Sequence, residues 1–139
     1  MIEHPFIAQA RQAVGVAHVL TQDLAPYAVD WKDKYHGRPL AVVRPGNTAE
    51  VSAVVQLCVQ HRLSIVPQGG NTGLAVGSIP DGSGQQVVLS LQRMNKVRSL
   101  DPANLTVIAE AGCILQQVQT HVEEAGYLFP LSLAAEGSC

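Results

Sequence analysis

The order of residues 40–73 constrains the fold more than any other part of the chain. LAVVRP (Leu40–Pro45) is a short apolar run stopped by proline, and LSIVP (Leu63–Pro67) is a second. Between them, Asn47 or Thr48 suits a helix cap, Glu50 favours the positive helix end, and Val51, Val54, Val55 and Cys58 recur at helical spacing. Strand, helix, strand with a crossover of this length predicts a parallel βαβ unit. The second strand runs into PQGGNTGLAVGS, Pro67–Ser78, which holds three glycines, an Asn and a Thr within five residues and no charge from Ser64 to Pro80. That loop leaves the C-terminal end of a strand, the edge at which ligands of open α/β sheets gather.

Glycine opens positive φ, so successive backbone N–H groups of such a loop can converge on an anion. A Walker A loop requires Lys after its last glycine, and none of Gly69, Gly70, Gly73 or Gly77 is followed by one. The dinucleotide fingerprint G-x-G-x-x-G requires a helix to follow, and Gly77 and Pro80 spoil that start. Two readings remain. The loop's own amides, with the Asn71 carboxamide and the Thr72 hydroxyl, donate to a pyrophosphate, or the segment is a glycine-rich turn packed against a neighbouring sheet.

The rest of the chain adds an N-terminal helix carried by Phe6, Ala10, Ala13, Val14, Ala17 and Leu20, ended near residues 22–26. Strands are predicted at QVVLSL, around KVRSLD and at LTVIAEAG. A helix follows over ILQQVQTHVEEAG, with Gly126 at its C-terminal cap. The architecture is α+β or α/β around one core. At 139 residues, 47% hydrophobic, 14% charged and a net charge of −2, the chain has the makings of one globular domain and no basic surface for nucleic acid. Three cysteines without C-x-x-C spacing argue against a disulfide framework or a zinc site and point to a reducing, cytoplasmic compartment. Nothing resembles an export signal or a membrane span. His18, His61 and His121 fall on predicted helices, and none pairs with an Asp or Cys in a triad-like pattern.

Five segments in one order, RPGNTAEV (44–51), VPQGGNTGL (66–74), VVLSLQRMNKV (87–97), DPANLTVIAEAG (101–112) and FPLSLAAEGSC (129–139), resemble the FAD-binding domain of FAD-linked oxidases. The similarity is to the branch holding D-2-hydroxyglutarate dehydrogenase, D-lactate dehydrogenase and the FAD subunit of glycolate oxidase. It implies an α+β fold of the vanillyl-alcohol oxidase type, with FAD between two subdomains and this chain as the first, residues 1–139 ending before a second glycine-rich flavin contact. By the same resemblance Gln68, Gly69, Gly70, Asn71, Thr72, Gly73 and Leu74 match the pyrophosphate loop, and Pro67 sets the chain's exit from its strand. Pro130, Leu131, Glu136, Gly137 and Ser138 match the segment along the flavin and its phosphates. Ala111, Gly112, Arg44 and Pro45 match positions near the cleft, with strand termination and packing as their alternative role.

Relatives that bond FAD covalently often carry His after the Gly-Gly pair. Asn71 stands there, and an amide is a poor nucleophile, so the flavin is expected to be non-covalent. No catalytic residue and no metal ligand is assigned. The partners implied are the rest of the FAD-binding domain, a substrate domain and a small 2-hydroxyacid. The expected reaction is hydride transfer to FAD, with the fragment inactive alone and its FAD weakly held or absent. The alternative is a stand-alone, non-catalytic module that dimerises through apolar surface around Pro130.

Overall fold

The computed structural model describes residues 3–135 and 137–139. Helix α1 spans Pro5–Val14. His4 caps it, its Nδ1 accepting the Phe6 N–H at 3.2 Å, and Pro5 opens the first turn without an N–H to lose. Its end falls earlier than the apolar spacing predicts. Gly15, at φ 90°, terminates the helix, Val16–His18 form a 3-10 turn, and Val19–Leu20 become strand β1. Ala17 and Leu20 thus leave the helical stripe, because Val19 and Leu20 pair antiparallel with Val43 and Val42.

After a short helix α2 (Ala25–Ala28), β2 is Ala41–Val43, α3 is Thr48–Gln60, β3 is Ser64–Gln68 and β4 is Gln86–Ser90. The cap of α3 is reciprocal. Asn47 Oδ1 accepts the Glu50 N–H at 2.9 Å, and the Glu50 carboxylate accepts the Gly46 N–H at 2.7 Å and Asn47 Nδ2 at 2.9 Å. Sheet order is β1-β2-β4-β3, with β1 antiparallel and the others parallel. The predicted βαβ unit is therefore present with β4 inserted between its two strands, Val88 pairing with both Val42 and Val66.

One sheet face packs on α1 and α3, burying Phe6, Ile7, Ala10, Val54 and Cys58 against Ala41, Val43, Val87 and Leu89. The other face buries Val42, Val66 and Val88 beneath Leu20, Leu24 and Tyr27. Because β2, β3 and β4 are parallel, their C-terminal ends share one edge, which delivers Arg44, the glycine loop and the turn after Ser90 to the same side.

Strands β5 (Val97–Asp101) and β6 (Thr106–Ala109) form a separate antiparallel hairpin, so the expected strands are present but not in the main sheet. Helix α4 (Leu115–Glu124) buries Val118 and Val122. It closes as the sequence predicts, with Gly126 at φ 83° donating to Glu123 O and Tyr127 to Val122 O, a Schellman cap.

Candidate cofactor site

The glycine loop is braced from below before it can hold anything. Gln68, 2% exposed at the end of β3, donates from Nε2 to Tyr27 O at 3.0 Å and to Ser78 O at 2.8 Å. Asn71 Nδ2 donates to Val29 O at 2.9 Å, and Asn71 Oδ1 accepts from Ser78 Oγ at 2.8 Å. These four bonds draw residues 68–78 into a loop closed at its neck and tied to the end of α2 and the residue after it. Asn71 and Gln68 thus spend their carboxamides on loop geometry.

The glycines act differently from the expectation of positive φ. Gly69, Gly70 and Gly73 lie outside the left-handed region, which Asn71 (φ 57°) and Val76 (φ 62°) occupy instead. Gly70 is required by close approach: a Cβ there would stand 1.5 Å from Ser138 O. At Gly69 and Gly73 a Cβ would enter open space, and for Gly69 that space adjoins the cavity it lines.

That cavity, about 530 Å³, is walled by four stretches of chain. The loop supplies Gly69, Gly70 and Thr72, the turn after β4 supplies Gln92 and Asn95, and the segment into α4 supplies Ala111–Ile114 with Gln117. Gly137, Ser138 and Cys139 complete it. Leu91 N–H on Gln68 O at 2.9 Å and Gly112 N–H on Met94 O at 2.8 Å fasten the walls together. Gly112 can only be glycine here, since a Cβ would lie 1.9 Å from Leu91 O. Arg93 holds the Gln92–Asn95 turn to the start of α3, its Nη1 donating to Arg44 O at 2.7 Å beside Glu50 Oε2 at 3.4 Å.

Of the residues proposed from sequence, the structure gathers Gly69, Gly70, Thr72, Gly137 and Ser138 in one cavity, with Ala111 and Gly112. Pro67 and Gln68 end β3 beneath the loop, and Leu74 is 70% exposed beside Trp31 in an adjoining groove. Pro130 lines a different groove, with Tyr127 and the β5–β6 loop, and Leu131 is tied through its carbonyl to Gln119. Glu136 lies outside the described residues. Gln92, Asn95, Cys113, Ile114, Gln117 and Cys139 were not anticipated as lining.

None of the lining side chains named is charged, which suits recognition by amides and dipoles. Helix α4 begins at the cavity wall without a side-chain cap, its Leu115 N–H donating instead to Cys139 O at 2.6 Å. The open space where a Gly69 Cβ would stand and the neutral polar side chains of Thr72, Gln92, Asn95, Gln117 and Ser138 leave room for a dinucleotide's phosphates. Among the described residues no group of three His, Cys, Asp or Glu side chains gathers as a metal site.

Fold and cavity together define an α+β domain with a cavity at the carboxyl edge of its parallel strands. The chain belongs to the FAD binding domain family, whose model matches residues 39–139. It is 43% identical over 111 residues to a probable mitochondrial D-2-hydroxyglutarate dehydrogenase of Oryza sativa subsp. indica, covering 80% of this chain and 20% of the relative. It is 39% identical over 117 residues to a putative mitochondrial D-lactate dehydrogenase of Schizosaccharomyces pombe, covering 84% and 22%. An alkyldihydroxyacetonephosphate synthase structure superposes with a TM-score of 0.78 at 22% identity, covering 90% of this chain and 26% of that one. The α+β fold expected from the resemblance, that of the vanillyl-alcohol oxidase type, is the fold observed, and FAD is the cofactor of the family. The chain spans about a fifth of the length of those curated relatives.

Proposed function

We propose that these residues form the phosphate-gripping part of the FAD-binding domain of an oxidoreductase that oxidises a D-2-hydroxyacid. The observation that carries the reading is the cavity in which Gly69, Gly70 and Thr72 meet Gly137 and Ser138 beside the start of α4. FAD, when bound, supplies the acceptor for a hydride leaving the carbon that bears the hydroxyl. The chain's own contribution is positional. Gly69 leaves room for a phosphate oxygen, Gln68 and Asn71 hold the loop's curvature, and Gly112 seats the wall opposite.

With no imidazole or carboxylate among the cavity-lining residues named, the groups that take the hydroxyl proton and grip the acid are assigned to the rest of a longer protein, as is the second glycine-rich flavin contact. The rice and fission-yeast relatives are named dehydrogenases, which favours this reading over a stand-alone, non-catalytic module. Asn71, already bonded on both carboxamide atoms, supports a non-covalent flavin. A glycolate oxidase activity is a variant of the same proposal. So is a cytoplasmic location, which the three free cysteines favour, while the rice and fission-yeast relatives are named mitochondrial. The exposed Leu128, Leu131 and Leu133 support a homodimer of the 139-residue piece, to be checked by light scattering.

The test is turnover of D-2-hydroxyglutarate, D-lactate and glycolate with an artificial electron acceptor. The longest gene product containing these residues is expected to oxidise at least one of them only with FAD bound, and the 139 residues alone none. A full-length product that retains FAD and oxidises none would refute the hydroxyacid assignment.

A further inference from the structure

The walls of the cavity belong to two separately built bodies. Gly69 and Gly70 follow the end of β3 in the main sheet, whereas Gly112 and Gln117 follow the β5–β6 hairpin, a separate sheet on which α4 packs. Residues 91–96 carry the chain from one body to the other, and Gln92 and Asn95 line the cavity between them. The backbone here is bonded in both directions. The Leu91 N–H donates to Gln68 O at 2.9 Å, while Met94 O and Lys96 O accept the Gly112 and Glu110 N–H groups at 2.8 and 3.0 Å. This turn is the joint on which the width of the cavity depends.

One side chain anchors the joint. Arg93 Nη1 donates to Arg44 O at 2.7 Å and stands 3.4 Å from Glu50 Oε2, the same oxygen that accepts the Gly46 N–H at 2.7 Å. Gly46 makes room for the guanidinium, since a Cβ there would lie 2.8 Å from Nη2. The ion pair is partly exposed, its side chains 33% and 23% accessible, so it adds little to the unfolding free energy. Its contribution is orientation, because a planar guanidinium held by a carbonyl and a carboxylate fixes the direction of the turn against the start of α3.

We propose that Arg93 is a positioning residue that sets the width of the cofactor cavity, by fixing the angle at which the hairpin and α4 stand off the main sheet. The inference rests on the FAD assignment above.

Residual dipolar couplings of the 139-residue chain report that angle without a ligand. The main sheet and the hairpin with α4 are expected to share one alignment tensor in the wild type and to require two in Arg93→Met, which keeps an aliphatic stem and loses both bonds. ADP binding, read from the Gly69 and Gly112 amide shifts, is expected to weaken about tenfold in Arg93→Met, the size of one charge-assisted hydrogen bond. Arg93→Lys, which still donates to Arg44 O, should restore part of it. Gly46→Ala, which displaces the guanidinium from the side of α3, should reproduce both effects. The Val42, Val66 and Val88 amides of the main sheet are expected to hold their positions throughout. One tensor and unchanged ADP affinity in Arg93→Met overturn the proposal and leave the cofactor assignment standing. Weakened binding accompanied by shifted main-sheet amides makes the role of Arg93 merely structural and overturns it too. Two tensors in the variant, with neither ADP nor FAD shifting a cavity amide in the wild type, support the fixed angle and overturn the cofactor assignment.

Discussion

Gly70 and Ser138 stand backbone to backbone: a Cβ on Gly70 would come within 1.5 Å of the Ser138 carbonyl oxygen. That contact joins the glycine loop to the closing wall of the cavity. Gly70→Val is expected to push residues 137–139 away and lower FAD retention at least tenfold. The sheet core does not rely on this contact, so unfolding free energy should change by less than about 1 kcal/mol. Urea melts and FAD equilibrium dialysis on both proteins check it, and unchanged FAD retention would show that the contact is incidental.

Gly112 presents the opposite case. Its Cβ would meet two backbone oxygens, Leu91 O at 1.9 Å and Met94 O at 2.9 Å, in a turn that also bonds to the end of β3 and to Arg44. Gly112→Ala is expected to cost about 1–3 kcal/mol of stability, the range for forcing extra volume into a packed site. The shift in urea midpoint at constant slope measures it.

Asn71 combines a left-handed backbone with a two-ended side-chain brace. Asn71→Ala loses both and is expected to destabilise by about 1–3 kcal/mol. Asn71→Gly, which keeps the backbone at ease, should recover about 1 kcal/mol of that loss. Equal melting temperatures for the two variants would show that φ at this position carries no strain.

Asp30 supplies a pH dependence with a definite sign. The Tyr35 N–H, opposed by burial and helped by the Lys34 and Lys32 N–H groups and by His36, holds its carboxyl below the ordinary value of 3.8. A pKa lower in the folded than in the unfolded chain means that its stabilisation is present above the ordinary value and fades as pH falls through the folded one. The Trp31 fluorescence of the native chain is therefore expected to change below about pH 4. In Asp30→Asn that local transition should disappear. Its persistence in the variant would assign it to other carboxylates.

Cys58 is fully buried, and burial pushes its thiol up to about 11. Cys113 and Cys139 are half-buried in the cavity wall. Iodoacetamide at pH 8 should label those two first, with Cys58 modified only at the rate of global unfolding. Mass spectrometry of partially labelled protein reads the order, and early labelling of Cys58 would contradict the packing of α3 on the sheet.

What the sequence determined by itself is local. Asn47 with Glu50 three positions later specifies a helix start because the donors it satisfies are within one turn, and Gly126 specifies an end for the same reason. The apolar runs at 40–45 and 63–67 read as strands, the first of them buried, and they are observed at 41–43 and 64–68, with the loop after the second at the edge where parallel strands place ligands. The five ordered segments, not any one of them, carried the family.

Only the tertiary structure decided the rest. Leu20 follows the helical stripe of α1 on paper, but the open edge of β2 claims it together with Val19. Strand β4 enters between β2 and β3, an arrangement invisible to any window of sequence because its partners lie some 20 and 45 residues away. Gly70 is glycine on account of Ser138, and Gln92, Asn95 and Gln117 line the cavity only because separate chain segments end at one sheet edge. Caps and turns are written in neighbouring residues, whereas a cavity is made by residues whose closeness exists only after the chain has folded.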